Sequence, residues 1–316
     1  MIQMFDGNRT VAEIPVAVQR VGISDQAPAY YDGQVGFVSA GNDDGDGSYL
    51  VTMSLSTCNV TLRKLDVQAQ NIAATTDGFY ILGNLDGISY ITRFGDGGAA
   101  QVAKFPAEFI TGLAGNKDHL FAASNEITPS TTSIIALSPS DLSEVDRTTL
   151  PMVGVGETAI SMAVVAGKVI MPMTIKNLNN VDAEDDGLLI VDENNMSAHT
   201  ITLGAPSPFF VRAVGDTVYV AHTFLNQSFH SFAFYRDISV VDMRDESTTL
   251  WTLPTGVWQF DVNPSTLAVI TNSGDGVFSL HTFALPGLDP VDSIALRPPA
   301  SVPDPLVATL FLPQSQ

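Results

Sequence analysis

Residues 188–204 read LLIVDENNMSAHTITLG, and this stretch decides the fold. An apolar run with the length of one strand leads into a polar turn, which is followed by a run of alternating polarity. Short apolar and alternating runs that are separated by Asp and Asn are typical of a β-hairpin. We therefore predict two antiparallel strands in this stretch.

The same hairpin pattern recurs along the chain. Residues 238–254, ISVVDMRDESTTLWTLP, match it closely, residues 133–142 match it loosely, and residues 2–16 are a further copy. A second class of hairpin, with Gly, Asp, Asn or Pro at its turn, occurs at residues 29–38, 72–82, 113–122, 162–171, 211–220 and 260–270. An Asp-Gly pair often follows it, as at Asp46-Gly47, Asp86-Gly87, Asp186-Gly187 and Asp275-Gly276. The alternation of two hairpins predicts a repeat of four strands, with the Asp-Gly side chains gathered on one rim.

The two ends of the chain carry complementary halves of this repeat. The chain begins in mid-repeat with residues 2–16, and residues 301–312 read as a first hairpin without a second. Six complete repeats and one composite repeat give units of about 45 residues, the length of a propeller blade. We therefore predict an all-β fold with a single domain over residues 1–316. It is a seven-bladed β-propeller of four-stranded antiparallel blades, closed by a composite blade from the N- and C-terminal segments. The predicted blades cover residues 25–68, 69–107, 108–154, 156–204, 207–254, 256–298, and 299–316 together with 1–20.

The repeat resembles that of the YVTN or YncE-like seven-bladed propellers. The residues that carry the resemblance are an apolar strand, a Val-Asp pair, a polar turn and an alternating strand that ends near Pro or Gly. They are clearest at residues 188–204, 238–254 and 2–16. The resemblance implies the propeller fold and an exported or surface role, and it includes no catalytic signature. Residues 173–187 and 222–237 depart from the common pattern.

The charge balance restricts the partners that we expect. The chain has 34 acidic and 14 basic residues, which gives a formal net charge of −20. Direct affinity for nucleic acid is not expected, because each phosphate contact requires a cation. No apolar run approaches the roughly 20 residues that span a bilayer, so we expect no membrane insertion. Cationic ligands or partner surfaces would be attracted, and the single Cys58 excludes an internal disulfide.

Two acidic stretches imitate calcium-binding loops. Oxygen-bearing side chains at alternate positions with Gly after them begin such a loop. The residues are Asp182, Glu184, Asp186 and Glu193 in one stretch and Asn42, Asp44 and Asp46 in the other. Both stretches also read as hairpin turns, and the strand-like residues 188–192 would carry Glu193 away from its loop. Ca²⁺ is therefore the one cofactor that the sequence suggests, beside a purely structural role for these turns.

An excursion between two predicted strands is rich in aromatic residues. It contains Phe224, Phe229, Phe232, Phe234 and Tyr235, more than a connecting loop requires. These side chains either pack over the neighbouring blade or form a contact surface for a protein partner or for self-assembly.

The sequence carries no convincing catalytic motif. It contains no Gly-x-Ser-x-Gly elbow and no glycine-rich loop that would hold a phosphate. We expect a non-enzymatic propeller that serves as a binding or structural/assembly module, in a surface layer, an exported complex or a virion. The alternatives are a metal-dependent propeller hydrolase such as a lactonase, and an exported ligand- or metal-binding propeller. The expected localisation is extracytoplasmic, at the cell surface or in a virion, with the cytoplasm left open.

Overall fold

The computed structural model describes residues 2–6, 9–14, 28–39, 48–95, 100–127, 130–151, 161–173, 187–225, 232–272 and 278–296. Within these ranges every regular element is a β-strand, as the sequence predicts. No helix in this part of the chain has the length and apolar character needed to cross a membrane.

Twenty-six strands form one hairpin and six four-stranded sheets in the described residues. The hairpin consists of β1 (Ile2–Asp6) and β2 (Arg9–Ile14). Blade 1 contains β3 (Ala29–Tyr31), β4 (Gln34–Ser39), β5 (Tyr49–Ser54) and β6 (Val60–Lys64). Blade 2 contains β7 (Gln68–Thr75), β8 (Gly78–Leu85), β9 (Ile88–Phe94) and β10 (Gln101–Phe105). Blade 3 contains β11 (Ile110–Gly115), β12 (Leu120–Ile127), β13 (Ser130–Leu137) and β14 (Glu144–Pro151).

The remaining three sheets follow the same plan. Blade 4 contains β15 (Ala163–Val165), β16 (Lys168–Met173), β17 (Gly187–Asp192) and β18 (Ala198–Thr202). Blade 5 contains β19 (Pro208–Val214), β20 (Thr217–Leu225), β21 (Phe232–Asp242) and β22 (Ser247–Thr252). Blade 6 contains β23 (Gln259–Val262), β24 (Thr266–Asn272), β25 (Phe278–Ala284) and β26 (Asp289–Leu296). In every blade each strand pairs with the next one along the chain in antiparallel register.

The first strand of each blade lies nearest a common axis. Each of β3, β7, β11, β15 and β19 contacts the first strand of the following blade. The fourth strands are the most exposed, as in β22, where five of six residues are exposed. Sheets that meet through their first strands and expose their fourth strands are the blades of a β-propeller. We call the first strands inner strands and the fourth strands outer strands.

The predicted count of seven four-stranded blades is corrected to six in the described residues. The segment at residues 2–14 forms a two-stranded sheet of its own, β1–β2. Its predicted partner at residues 299–316 lies outside the described residues. The sequence repeat identifies each segment that has the pattern of half a blade. It does not show whether two segments at opposite ends of a chain pair with each other.

Apolar side chains fill the spaces between adjacent blades. On β8, Ile81 packs with Val38 and Leu50 of blade 1, while its neighbour Leu82 packs with Leu113 of blade 3. Ile81 and Leu82 are both fully buried. A strand that is covered on both faces requires apolar residues at consecutive positions, which explains the continuous apolar runs in the sequence.

One turn conformation recurs between the third and fourth strands. The N–H of Met196 donates to the carbonyl of Asp192 at 3.0 Å, and the N–H of Glu246 donates to the carbonyl of Asp242 at 2.7 Å. The donors have φ values of 54° and 60°, in the left-handed region. Cys58, Leu142 and Leu288 make the same bond with the same sign of φ. This recurrence confirms that residues 188–204 and 238–254 are equivalent hairpins.

The described Asp-Gly pair is also a turn. Asp86 and Gly87 have φ values of 53° and 75° and join β8 to β9. Two consecutive positive φ values are the conformation that Asp-Gly favours in a two-residue hairpin loop. Asp46-Gly47, Asp275-Gly276 and the Asp186 of Asp186-Gly187 lie outside the described residues, so the predicted acidic rim stays a prediction.

Candidate functional site

The inner strands differ at one equivalent position close to the axis. This position is the third residue pair counted from the two-residue turn that joins the first and second strands, with Asn116–His119 and Asn263–Thr266 taken as the first pairs of blades 3 and 6. In blades 1–4 it is occupied by Ala29, Ala73, Ala114 and Ala163. In blades 5 and 6 it is occupied by Arg212 and Asp261. At this position blades 1–4 therefore carry a methyl group, whereas blades 5 and 6 carry charged groups.

Arg212 and Asp261 form a loose ion pair between blades 5 and 6. Arg212 Nε lies 3.9 Å from Asp261 Oδ1, and each side chain is only 11% exposed. The guanidinium lies over the ring of Phe260, 5.8 Å from its centroid, and Nη1 donates to the carbonyl of Val211 at 2.7 Å. Burial lowers the pKa of Arg212, and the charge of Asp261 opposes this shift. Nε and Nη2 are buried and make no hydrogen bond to the residues that the structure describes.

Tyr30 of blade 1 lies near Asp261 of blade 6. Burial raises the pKa of the Tyr30 hydroxyl, and the negative charge of Asp261 raises it further. The hydroxyl oxygen is buried and has no hydrogen bond partner in the described part of the chain. The first and last inner strands therefore approach each other at the axis, and an uncommitted hydroxyl lies between them.

An open cavity of about 610 Å³ lies beside Tyr30. We call it the axial cavity, and it is lined by Tyr30, Tyr31, Asp32, Ala74, Thr75, Thr76, Asn116 and Lys117. These residues come from the ends of the inner strands and from the adjoining turns of blades 1, 2 and 3. Three blades thus contribute residues to one open surface depression.

Three polar lining residues hold the cavity wall in place. The Thr76 hydroxyl donates to the carbonyl of Lys117 at 2.7 Å and so links blade 2 to blade 3. Asn116 Nδ2 donates to Glu193 Oε2 at 2.8 Å and links blade 3 to blade 4. The Thr75 hydroxyl accepts the N–H of Asp77 at 3.0 Å. Because these groups already have hydrogen bond partners within the protein, the cavity wall has its shape before any ligand binds.

The end of the propeller at which this cavity opens carries an excess of acid. We call it the turn face, because the first strand turns into the second there and the third into the fourth. The described residues of these turns include the acids Asp32, Asp77, Asp118, Asp141, Glu193, Asp216, Asp245 and Glu246. The basic residues in the same turns are Lys117 and Arg244. The turn face therefore attracts cations.

The residues that the sequence predicts as calcium ligands are largely outside the described residues. These are Asn42, Asp44, Asp46, Asp182, Glu184 and Asp186. Glu193 is described, and it lies on the turn face beside Asn116. It follows the six residues of β17, which extend over about 20 Å. Within the described residues no group of three or more acidic, His or Cys side chains is arranged to hold a metal. Calcium binding at residues 182–186 stays a prediction.

Both ends of the aromatic excursion belong to paired strands, while residues 226–231 lie outside the described residues. The backbones of Phe224, Phe232 and Phe234 belong to β20 and β21, where Thr223 pairs with Phe234. The side chains of these three residues, and all of Phe229, lie outside what the structure describes. Tyr235 is half-buried, and its carbonyl accepts the N–H of Val257 at 2.9 Å. Its partner-binding role stays a prediction.

Sequence reasoning missed Tyr30, Arg212 and Asp261, although a signal was present. When the inner strands are aligned on their turns, Ala recurs at the position that Arg212 and Asp261 occupy in blades 5 and 6. A charged residue at a position where the other repeats have Ala marks a departure from what the fold alone requires. Tyr30 carried no such signal, because aromatic residues are ordinary in strands.

Comparison with known proteins supports the fold and no narrower assignment. No family model matches the chain, and no curated protein matches it. Among solved structures, the chain is similar to the β-propeller domain of the trilobed protease from Pyrococcus furiosus, which has an open velcro topology. That similarity has a TM-score of 0.54 at 10% identity and covers 81% of each chain.

Two further solved structures give the same result. TolB from Acinetobacter baumannii has a TM-score of 0.53 at 10% identity, with 83% of this chain and 66% of that chain covered. BamB from Moraxella catarrhalis has a TM-score of 0.51 at 12% identity, with 86% of this chain and 76% of that chain covered. At these identities the similarity shows a β-propeller, and the resemblance to the YVTN or YncE-like group is not supported beyond this level.

Proposed function

We propose that this propeller is a binding module whose ligand or partner is held in the axial cavity on the turn face. The observation that carries the proposal is a contrast among the lining residues of this cavity. Thr75, Thr76 and Asn116 are committed to the wall. The Asp32 carboxylate is exposed at the cavity and makes no ion pair with the residues that the structure describes. A preformed wall with an uncommitted polar group favours binding, because little ordering is left for the ligand to impose.

A protein partner or a second copy of the chain is the class of partner that we propose. The acidic turn face favours a complementary surface. The aromatic excursion joins the second and third strands of blade 5 and therefore lies at the opposite end of the propeller, so its partner-binding role is a separate prediction. An extracytoplasmic, cell-surface or virion location and a bound Ca²⁺ stay predictions from the sequence.

The proposal is tested by filling the cavity. Thr76 is exposed and lines the cavity, so Thr76→Trp should close it without disturbing the core. Binding of basic, neutral and acidic peptides to the wild type and the variant would be followed by isothermal titration calorimetry. We expect one class of peptide to bind the wild type and to lose at least about tenfold in affinity in Thr76→Trp, as expected for a blocked pocket.

Two controls accompany this measurement. Thr76→Ala removes the hydrogen bond to the Lys117 carbonyl without filling the cavity, so it should weaken binding less than Thr76→Trp does. Thr249→Trp adds the same ring on the exposed outer strand β22 and should leave binding unchanged. Binding that survives Thr76→Trp, or the absence of binding by every peptide, would overturn the proposal. Lactone hydrolysis that Thr76→Trp abolishes would assign the site to a hydrolase instead.

A further inference from the structure

The axial cavity holds one anionic group without a partner. Asp32 lies in the turn between β3 and β4, is exposed, and makes no ion pair with the residues that the structure describes. Lys117, the only cation in the lining, lies 3.4 Å from Asp118, and their side chains are 77% and 61% exposed. The charge of Lys117 is therefore offset by its neighbour, whereas the carboxylate of Asp32 is left available.

One aromatic ring adjoins this carboxylate in the cavity lining. Tyr31 directly precedes Asp32, and its ring is held edge-on against Phe79, with centroids 5.5 Å apart. Aromatic rings together with a carboxylate recognise ammonium and guanidinium groups, through cation–π attraction and charge pairing. The protein uses the same contact elsewhere, since the Arg63 guanidinium lies over the ring of Phe94 at 4.3 Å from its centroid.

The surrounding charges act in the same direction. The described turns of the turn face carry eight acidic and two basic residues, and the whole chain has a net charge of −20. A surface of one sign raises the local concentration of ligands of the opposite sign, and the effect weakens within about 10 Å at ordinary salt concentration. A cation would thus be drawn to the cavity, and an acidic segment would be repelled from it.

We infer that the axial cavity binds a Lys or Arg side chain from a basic segment of a partner protein. The alkyl stem of that side chain would lie along the ring of Tyr31, and its charged end would pair with Asp32. This inference rests on the proposed binding function and specifies the chemistry that the site selects. The remaining acids of the turn face would guide the flanking basic residues.

The experiment uses three octapeptides that differ only in their side chains. One carries three Lys residues, the second carries Gln at those positions and the third carries Glu. Affinities would be measured by calorimetry on the full chain, at about 20 mM and about 150 mM salt, on either side of marked screening. We expect the Lys peptide to bind at least about tenfold more tightly than the other two, and to weaken at the higher salt concentration.

Matched variants distinguish the effect of the Asp32 carboxylate from the effect of the overall negative charge on the turn face. Asp32→Asn should weaken the Lys peptide about fivefold, since an exposed ion pair contributes up to about 1 kcal/mol. Asp216→Asn removes the same charge from an equivalent turn in blade 5, outside the cavity, and should change the affinity by less than about twofold. Tyr31→Leu should weaken binding, whereas Tyr31→Phe, which keeps the ring, should not.

The outcomes distinguish this inference from the proposed function. If the Gln or Glu peptide binds as tightly as the Lys peptide, and Thr76→Trp removes that binding, the cavity is a binding site and the basic selectivity is wrong. If no peptide binds in a manner sensitive to Thr76→Trp, both proposals fail. If spermidine binds as tightly as the Lys peptide, the ligand is a free amine and the assignment to a protein segment is overturned.

Discussion

The inner strands of blades 1–4 and those of blades 5 and 6 share one backbone arrangement and differ in what they present to the axis. At the same register position the first four have Ala, and the last two have Arg212 and Asp261. The pairing is the same, so the fold does not require the charges. Repetition of the backbone therefore allows the axis to become asymmetric, with an open cavity beside blades 1–3 and a buried ion pair between blades 5 and 6.

The largest test of this comparison is to remove the pair. Asp261→Ala leaves the Arg212 guanidinium buried without a counter-charge among the residues that the structure describes, so we expect the free energy of unfolding to fall by about 3 kcal/mol. Chemical denaturation would measure the change.

The double variant Arg212→Ala with Asp261→Ala makes all six inner strands alike. We expect it to be more stable than Asp261→Ala, because no buried charge is left unpaired. If the changes in free energy of unfolding caused by the two single substitutions add up to that of the double variant, Arg212 and Asp261 are not energetically coupled. The ion pair would then not stabilise the protein.

A smaller effect is expected at Tyr30, which faces the charged side of the axis from blade 1. A buried hydroxyl without a hydrogen bond partner is destabilising, so Tyr30→Phe should raise the free energy of unfolding by about 1 kcal/mol at neutral pH. Thermal and urea unfolding would both report the increase.

The pH dependence provides a second measurement on the same variant. The pKa of Tyr30 is raised in the folded state, so the folded protein holds the hydroxyl proton more tightly than the unfolded chain does. This group therefore leaves the free energy of unfolding unchanged with pH below the pKa of the unfolded chain, and lowers it as pH rises from there through the folded value. Tyr30→Phe should therefore lose less stability than the wild type above pH about 10, the usual value for Tyr. If the free energies of unfolding of the wild type and Tyr30→Phe fall in parallel in alkali, burial and Asp261 do not hold the hydroxyl neutral.

The smallest effect is expected at the junction of blades 4 and 5, where the two kinds of inner strand meet. Glu246 of blade 5 accepts from Lys168 Nζ of blade 4 at 2.8 Å and lies 3.0 Å from His199 Nε2. The hydrogen bond from Lys168, and to a lesser degree that from His199, lowers the pKa of Glu246. Glu246→Gln should reduce the free energy of unfolding by about 0.5 kcal/mol at neutral pH, because the pair is partly exposed.

This contribution should vanish in acid. The pKa of Glu246 is lowered in the folded state, so the stabilisation exists above the unfolded value, about 4.3, and is lost as pH falls through the folded value. The wild type and Glu246→Gln should thus converge near pH 3. A difference that persists in acid would mean that the side chain stabilises the junction by packing and not by charge.

Most of the fold was predictable, because its determinants are local. Middle strands such as β8 are covered on both faces and appear in the sequence as apolar runs, and Asp86-Gly87 adopts the turn that these two residues favour. The blade count was less predictable. Pairing between residues 2–14 and residues 299–316 would join the two ends of the chain, and no local pattern reports such a contact.

The candidate site was mostly missed because the axial cavity is assembled from separate blades. Tyr30, Thr76 and Asn116 are far apart in sequence and look ordinary in their own hairpins. Among the predicted site residues, Glu193 proved to be a link to Asn116, a contact that joins blades 3 and 4 across the turn face. The acidic motif around Glu193 suggested calcium because the prediction used the spacing of residues along the chain. The contact of Glu193 with Asn116 in the neighbouring blade is not visible in that spacing.

The sequence by itself determined the repeat, with alternating hairpins and apolar strands for the spaces between blades, and it determined the acidic composition of the chain. Those properties are set by residues within a few positions of one another and by totals over the chain. Only the tertiary structure decided which residues meet at the axis, because the curvature of the ring brings together inner strands that are tens to hundreds of residues apart. That is why Arg212, Asp261 and Tyr30 acquire a shared environment that none of their own segments specifies.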